Sequence, residues 1–338
     1  MAGNLPIPLK QGALPDMLQA EVARAAEYAK ASRSPATRRA YASDWEIFTL
    51  WCDERGIESL PATPAAVALF LSPQADSGFK KATIGRGHAP IGYHHRQAGF
   101  DPPQERTGGA AIKLVLEGIR NEKKHERPER KRPADADMLR DMLRTIEGDD
   151  LRATRDRAVL AIGMAAALRR SELVALQTNH VELTSEGLRL LIGHSKTDQA
   201  GEGATIAIPE GRRIRPKALL LEWTNAALEA AHRLNDPRIS FEEGPLFRRL
   251  TRSGGLTANP MSDRAVARLV QRCAAAAGFN PTDYAGHSLR SGFLTEAARQ
   301  GASIFKMRDV SRHKSVQVLS DYVRDFEMFR DHAGEKFL

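Results

Sequence analysis

The chain has 338 residues and a formal net charge of +8, so its length predicts two domains and its charge favours a polyanionic partner, whether DNA, RNA or an acidic membrane surface. The same basic excess is equally typical of a protein that is merely soluble, and the 42% hydrophobic content indicates a folded chain. The two distant cysteines, Cys52 and Cys273, fit buried free thiols in a reducing compartment better than a disulfide scaffold or a zinc site. The chain shows neither a signal peptide nor an apolar run long enough to cross a bilayer, so a cytoplasmic location on the nucleoid is predicted.

The N-terminal third of the chain has helical periodicity. Residues 1–20 are rich in proline and are predicted to form a flexible leader. Ser34-Pro35 and Thr63-Pro64 each place a capping side chain before a proline at the first helical position. The first of these helices carries an apolar stripe at helical spacing, formed by Tyr41, Trp45, Phe48 and Cys52. A third helix is predicted over residues 82–97, where Pro90 should kink or interrupt it, and a fourth near residues 112–119. Residues 21–122 are therefore predicted to form an all-α, four-helix domain.

A basic stretch follows this helical domain. Residues 123–133 contain almost no apolar side chain and are predicted to be an interdomain linker, either a solvated connector or a segment that follows a phosphate backbone. The cations singled out in it are Lys123, Lys124, Arg130, Lys131 and Arg132. Two helix starts in the first domain carry further candidates for DNA contact, which could equally belong to a solvated face. These are Thr37, Arg38, Arg39, Lys80, Lys81 and Arg86.

Residues 134–338 are predicted to form a second, mostly helical domain. Residues 156–168 are apolar on nearly all sides, as in a central buried helix. Three short strands separated by turn residues are predicted at 181–184, 188–193 and 204–208. Helical patterns return at about 216–231, 262–277, 292–300, 303–310 and 315–323. The predicted fold class is mainly α with a small antiparallel β-sheet.

The side chains of the second domain fit the requirements for cutting a phosphodiester without a metal ion. Such a reaction needs a side-chain nucleophile, fixed cations for the non-bridging oxygens, and groups that move protons to and from the reacting oxygens. The sequence ALRRSEL places Glu172 three residues after Arg169, one helical turn away, where it could orient that guanidinium. An ordinary exposed helix end would have a similar sequence.

Three further motifs supply the remaining groups. His287 and Arg290 are three residues apart and would share one helical face, although a capped helix start would show the same pattern. His313 precedes Tyr322 by nine positions, and a tyrosine needs neighbouring cations or a base to react at neutral pH. Lys196 lies in the turn between two predicted strands, where a lone lysine is more often simply solvated.

These motifs, taken in order, resemble those of the tyrosine recombinase, or phage integrase, family. The matching residues are Arg169, Lys196, His287, Arg290, His313 and Tyr322. ALRRSEL is similar to that family's GL-R-x-SEL box, and SRHKSVQVLSDYV is similar to its L-G-H-x-S…Y box, except that Ser311 and Arg312 replace leucine and glycine. The resemblance covers the whole second domain, and the first domain resembles the family's core-binding (SAM-like) domain.

The resemblance implies a role for each matching side chain. Tyr322 would attack the scissile phosphate and become linked to the 3′ end. The non-bridging oxygens would be held by Arg169, Arg290 and His313, and Glu172 would support Arg169. Lys196 would protonate the leaving 5′-oxygen, and His287 would act as acid/base. It implies no metal, ATP or other cofactor. The implied partner is a specific double-stranded DNA site, with a tetramer of this chain assembled on the DNA. The tail after Tyr322 could dock on a neighbouring subunit or fold back on its own domain.

Two other functions compete with a recombinase at this stage. A type IB topoisomerase-like enzyme would relax supercoiled DNA by the same chemistry, without exchanging partners. A non-catalytic DNA-binding relative would keep the fold and lose the reaction. A metal-dependent nuclease fits less well, because no carboxylate cluster is evident in the sequence.

Overall fold

The structure is a computed structural model that describes residues 18–126, 131–193 and 203–327. The chain divides into two compact units, Met1–Pro128 and Glu129–Leu338, and the division falls within the stretch predicted to be a linker. Each unit has its own hydrophobic core. Cys52 is buried in the first unit and Cys273 in the second, and both are free thiols, as predicted. Burial raises the pKa of each.

Within residues 18–126, the first unit is helical and contains no strand. Its helices are α1 (Gln19–Ala31), α2 (Pro35–Asp53), α3 (Pro64–Asp76), α4 (Lys81–Gln97) and α5 (Ala110–Glu122). The four predicted helices are α2 to α5, and α1 is a fifth helix that was not predicted and that begins inside the segment predicted to be a leader. Ser34 Oγ accepts a hydrogen bond from the backbone N–H of Thr37, and Thr63 Oγ1 accepts one from that of Ala66, so both predicted caps are formed. Helix α4 continues through Pro90 to Gln97 and is not interrupted there.

The apolar stripe predicted on α2 faces the core of the first unit. Phe48 and Cys52 are fully buried, and Trp45 packs against the same cluster. His95 is also fully buried, and its ring accepts a hydrogen bond from the backbone N–H of Ala62 and donates one to the carbonyl of Ile91. Burial lowers the pKa of His95, so this histidine is a neutral core residue.

The second unit is mostly helical with two small antiparallel sheets. Its helices are α6 (Ala136–Arg144), α7 (Leu151–Ala165), α8 (Arg170–Ala175), α9 (Pro216–Leu234), α10 (Asp263–Ala276), α11 (His287–Arg299), α12 (Ile304–Ser311) and α13 (Val316–Glu327). Its strands are β1 (Val181–Leu183), β2 (Gly187–Ile192), β3 (Ala204–Pro209), β4 (Arg248–Leu250) and β5 (Leu256–Pro260). No helix in the described part of the chain is both long and apolar enough to cross a lipid bilayer.

The three predicted strands form one sheet in the order β1-β2-β3. Leu190 of β2 pairs with Val181 of β1 and Ile206 of β3, and its side chain is fully buried. The β4–β5 hairpin was not predicted, because its first strand carries two arginines instead of alternating apolar residues. Arg248 is nevertheless buried in it and donates hydrogen bonds to four backbone carbonyls.

Helix α7 is the central helix of the second unit, as its composition predicts, and it packs against α9 and α11. Gly163 of α7 faces the side chain of Leu289 on α11, where an added Cβ would lie 2.8 Å from Leu289 Cδ1. Gly292, one turn further along α11, faces the backbone of Ala134, and a Cβ there would overlap that carbonyl oxygen. The first approach holds the start of α11 beside the end of α7, where the candidate site lies, and the second holds α11 against the segment before α6.

Candidate active site

The candidate site begins where α7 ends. Ala167 has a left-handed backbone conformation (φ 46°), which turns the chain so that Arg169 becomes the N-cap of α8. The carbonyl of Ala167 accepts a hydrogen bond of 2.5 Å from Nη1 of Arg290, 123 residues later. The turn between α7 and α8 therefore binds Arg290 through a backbone carbonyl and contains Arg169.

Glu172 is buried at the centre of a set of charged hydrogen bonds. Its Oε1 accepts from Nη1 of Arg169 at 2.5 Å, and its Oε2 accepts from the backbone N–H of Arg169 at 2.9 Å. Oε2 also accepts from Nη2 of Arg312 at 2.7 Å. Burial by itself would raise the pKa of this carboxyl, but the backbone N–H of Arg169 and the charges of Arg312 and Arg169 hold it below its ordinary value. Glu172 is therefore ionised and orients Arg169.

Arg290 is fully buried and lies beside His313. Its Nη2 is 3.2 Å from Nδ1 and 3.3 Å from Nε2 of the His313 ring, and Ser311 Oγ lies 2.8 Å from the same Nδ1. Burial lowers the pKa of Arg290 to about 10, and the neighbouring charge of Arg169 acts in the same direction. Arg290 still carries its positive charge at neutral pH.

His287 is the first residue of α11 and lies one turn before Arg290, on the same face, as the spacing predicts. It is exposed at the surface of the unit. Desolvation by the surrounding protein lowers the pKa of its ring, and the positive charges of Arg290, Arg169 and Arg170 lower it further. A neutral imidazole can accept a proton, so His287 is available as a base at neutral pH.

Tyr322 lies on α13, half-buried, and packs against an apolar cluster that includes Leu294, Met307 and Leu319. It is close enough to Arg290 for its negative charge, when ionised, to raise the pKa of that arginine. The structure thus brings the predicted tyrosine, the two predicted arginines and both predicted histidines into one region. The other tyrosine of the second unit, Tyr284, is buried in the main core against Phe279, as expected for a packing residue.

Some predicted residues fall outside this cluster. Lys196 and Arg130 lie outside the described residues. In the first unit, Thr37, Arg38 and Arg39 lie near the start of α2, where Thr37 and Arg38 are half-buried and Arg39 is exposed. The start of α4 carries Lys80, Lys81 and Arg86. Around the division between the units, Lys123 pairs with Glu126 at 2.8 Å, Lys124 is exposed, and Lys131 and Arg132 hydrogen-bond to the backbone of residues 282–283.

Arg312 belongs to this site, although no role was predicted for it from the sequence. It takes part in the same ion-pair network as Arg169, although 143 positions separate them in the chain. The sequence did carry one signal for Arg312, since an arginine stands where the L-G-H-x-S…Y box has glycine. Ser311, at the preceding departure from the box, is fully buried and holds the ring of His313.

We expect the stability of the protein to depend on the protonation of His313. Burial lowers the pKa of His313 to about 4, and the charges of Arg290, Arg169, His287 and Arg312 act in the same direction. Between pH 6.5 and about 4 the unfolded chain therefore binds more protons than the folded one, so the free energy of unfolding falls as the pH decreases through this range.

The substitution His313→Gln should flatten that part of the profile, measured by urea unfolding at a series of pH values between about 4 and 7. A residual slope is expected from the other histidines whose pKa is lowered, which are His88, His94, His95 and His287. If the free energy of unfolding changed with pH equally in the variant and in the wild-type protein, the lowered pKa of His313 would be contradicted.

The chain is similar in sequence to known recombinases. Residues 134–328 match the Phage integrase family. An integrase/recombinase XerD homolog of Selenomonas ruminantium is 32% identical to this chain over 305 residues, which cover 89% of this chain and 85% of the relative. Recombinase Cre of Escherichia phage P1 is 24% identical over 294 residues, covering 82% of this chain and 80% of that protein.

Solved structures share the fold. A XerH site-specific recombinase bound to its difH substrate, in a pre-cleavage complex, aligns with a TM-score of 0.53 at 17% identity over 84% of this chain and 75% of that one. A lambda integrase dimer bound to a COC′ core site aligns with a TM-score of 0.53 at 18% identity over 95% of this chain and 84% of that one. The mainly α fold with small antiparallel sheets is the fold of these proteins.

Proposed function

We propose a mechanism for this chain, residue by residue, on the premise that it belongs to the phage integrase family, the tyrosine recombinases. The chain is a site-specific DNA recombinase, an enzyme that binds DNA, cleaves it and rejoins it. The observation that supports our assignment of residues is the convergence of Arg169, Arg290 and His313 beside a single tyrosine, Tyr322.

In the first step, the phenol oxygen of Tyr322 attacks the scissile phosphorus. A bond forms between that oxygen and phosphorus, and the bond from phosphorus to the 5′-oxygen breaks, which leaves a 3′-phosphotyrosyl link and a free 5′-hydroxyl. Arg290 and Arg169 meet the negative charge that builds on the non-bridging oxygens, and fixed cations in a desolvated site do this with little reorganisation. His313 hydrogen-bonds to one of those oxygens from its place beside Arg290.

Two protons must move for this step to balance. His287 accepts the proton of Tyr322, since its lowered pKa keeps it neutral before the reaction. Lys196 donates a proton to the departing 5′-oxygen, a role taken from the family resemblance. A 5′-hydroxyl from the partner strand then reverses both transfers, so the covalent intermediate conserves the bond energy and rejoining needs no ATP.

We further propose that the first unit is the core-binding domain and the second the catalytic domain. The basic side chains at the starts of α2 and α4, and those near the division between the units, would contact the phosphate backbone of the site. Binding to host DNA would place the protein on the nucleoid.

The assembly that acts on DNA would contain four copies of this chain. Exchange between two duplexes requires four strands to be cut, and each cut consumes one Tyr322 until the strand is rejoined. One protomer at each of the four cleavage positions would place one Tyr322 beside each strand, and the segment after α13, which lies outside the described residues, would link neighbours.

Recovery of a covalent adduct tests this function. Wild-type protein would be incubated with nicked genomic DNA fragments in EDTA, denatured and digested with nuclease and trypsin. Trypsin cleaves after Lys314 and Arg324 and releases a peptide whose one tyrosine is Tyr322. We expect this peptide to carry a 3′-linked nucleotide, and the DNA recovered before digestion to be enriched in one sequence.

The recovered DNA also separates the competing functions. Attachment to sequences at random, together with relaxation of supercoiled plasmid and no recombinants, would indicate a topoisomerase-like enzyme. The absence of any adduct on all DNA tested would contradict strand cleavage by this chain.

A further inference from the structure

Arg312 occupies a backbone position that disfavours side chains. It lies between the end of α12 and His313 with φ at 56°, in the left-handed region where a Cβ crowds the following carbonyl. Glycine is the residue suited to such a helix end. An arginine at this position has a conformational cost, which contacts of its side chain can offset.

The side chain of Arg312 points inward. It is only 10% exposed, its Nη1 donates to the carbonyl of Val310 at 2.7 Å, and its Nη2 donates to Oε2 of Glu172 at 2.7 Å. Its Nε is enclosed and has no hydrogen-bond partner among the described residues. The orientation of this planar guanidinium is fixed, because two of its nitrogens donate to two different acceptors.

Glu172 receives this bond on the oxygen that also accepts the backbone N–H of Arg169, while its other oxygen receives the Arg169 guanidinium. Without Arg312, the carboxylate would be held only by the turn that carries Arg169, and it could rotate with that side chain. With Arg312, Oε2 also accepts a bond from a second segment of the chain, and the turn before α8 is tied to the loop that presents His313.

We propose that Arg312 is a positioning residue for strand cleavage. It locks the carboxylate of Glu172, and through it the guanidinium of Arg169, relative to the loop that carries His313. This inference rests on the proposed function, since it concerns the same site. Arg312 does not itself contact the scissile phosphate.

Three variants separate the side chain of Arg312 from its backbone. Arg312→Met removes the charge and keeps both the bulk and the left-handed strain, Arg312→Gly removes the side chain and the strain, and Arg312→Lys keeps the charge without the planar fork. The control is Arg233→Ala, which removes one exposed charge near the end of α9. DNA affinity and the single-turnover rate of cleavage at saturating protein would be measured on the site recovered by adduct mapping, together with Tm for each variant.

We expect Arg312→Met and Arg312→Gly to cleave about 10- to 100-fold more slowly, because a small misplacement of a catalytic group has an effect of this order. Their Kd for the site should stay within about 3-fold of wild type, since Arg312 is turned away from solvent. Arg312→Lys should recover part of the rate. In an Arg169→Lys background, Arg312→Met should have little further effect, because the group it positions is already altered.

Several results would overturn the inference. One is a wild-type cleavage rate in Arg312→Gly. Another is a loss of affinity in proportion to the loss of rate. A third is a full additional loss in the Arg169→Lys background. A loss of rate in step with a fall in Tm, shared by Arg312→Lys, would also overturn it, since that pattern indicates folding alone. Failure of the wild-type protein and of Arg233→Ala to form any adduct would instead contradict the proposed function, so the two failures are distinguishable.

Discussion

Tyr322→Phe is expected to bind the recombination site as tightly as the wild-type protein and to form no covalent adduct with it. The change removes the phenol oxygen that attacks phosphorus and leaves the ring, whose apolar contacts with Leu294, Met307 and Leu319 keep α13 in place. Cleavage should fall by about 10³-fold or more, because removal of the nucleophile from a group of residues that act together has an effect of at least this order.

The measurement is denaturing electrophoresis of a nicked substrate that carries the mapped site, with fluorescence anisotropy to follow binding. Tyr284→Phe is the matched control, since it removes the same oxygen from the other tyrosine of the second unit, which lies in the main core. Tyr284→Phe should form the adduct at the wild-type rate. An adduct that persists in Tyr322→Phe would show that another side chain is the nucleophile.

Arg290→Ala is expected to lower the rate of cleavage by about 10²- to 10³-fold, the usual effect of removing one donor that stabilises transition-state charge. The guanidinium is fully buried between the Ala167 carbonyl and the ring of His313, so water cannot replace it in the same geometry. Arg290→Lys should recover only part of the rate, because an ammonium supplies the charge without the two-armed donor geometry.

Arg299→Ala is the control on the same helix. Its side chain is 43% exposed and pairs with Glu296 and Asp135 at the far end of α11, so the substitution removes a charge of the same kind away from the site. Single-turnover cleavage at saturating protein would be compared across the three variants, with circular dichroism to show that each is folded. Equal losses in Arg290→Ala and Arg299→Ala would contradict a specific role for Arg290.

Much of the candidate site could be predicted because its parts are local. Three-residue spacings join Arg169 to Glu172 and His287 to Arg290, and a helix turns such spacings into neighbours on one face. The caps of α2 and α3 were likewise evident from a serine or threonine before a proline. Local rules of this kind act within one helical turn, so a single sequence is enough to apply them.

The contacts that join the motifs to each other could not be predicted in this way. The bond from Arg290 to the carbonyl of Ala167 spans 123 positions, and that from Arg312 to Glu172 spans 140. The hairpin containing Arg248 was not predicted either. Its arginine can be buried because backbone carbonyls of the surrounding loop accept its hydrogen bonds. No local pattern records which distant backbone group a side chain will meet.

The sequence by itself determined the class of chemistry, since a late tyrosine, two spaced arginines and two histidines appear in an order that a resemblance to one family explains. Only the tertiary structure decided how those groups are held: the left-handed turns at Ala167 and Arg312 aim a carbonyl at Arg290 and a guanidinium at Glu172. The physical reason is that residue identity fixes which charges and donors exist, whereas their direction depends on backbone torsions and on packing between segments far apart in the chain.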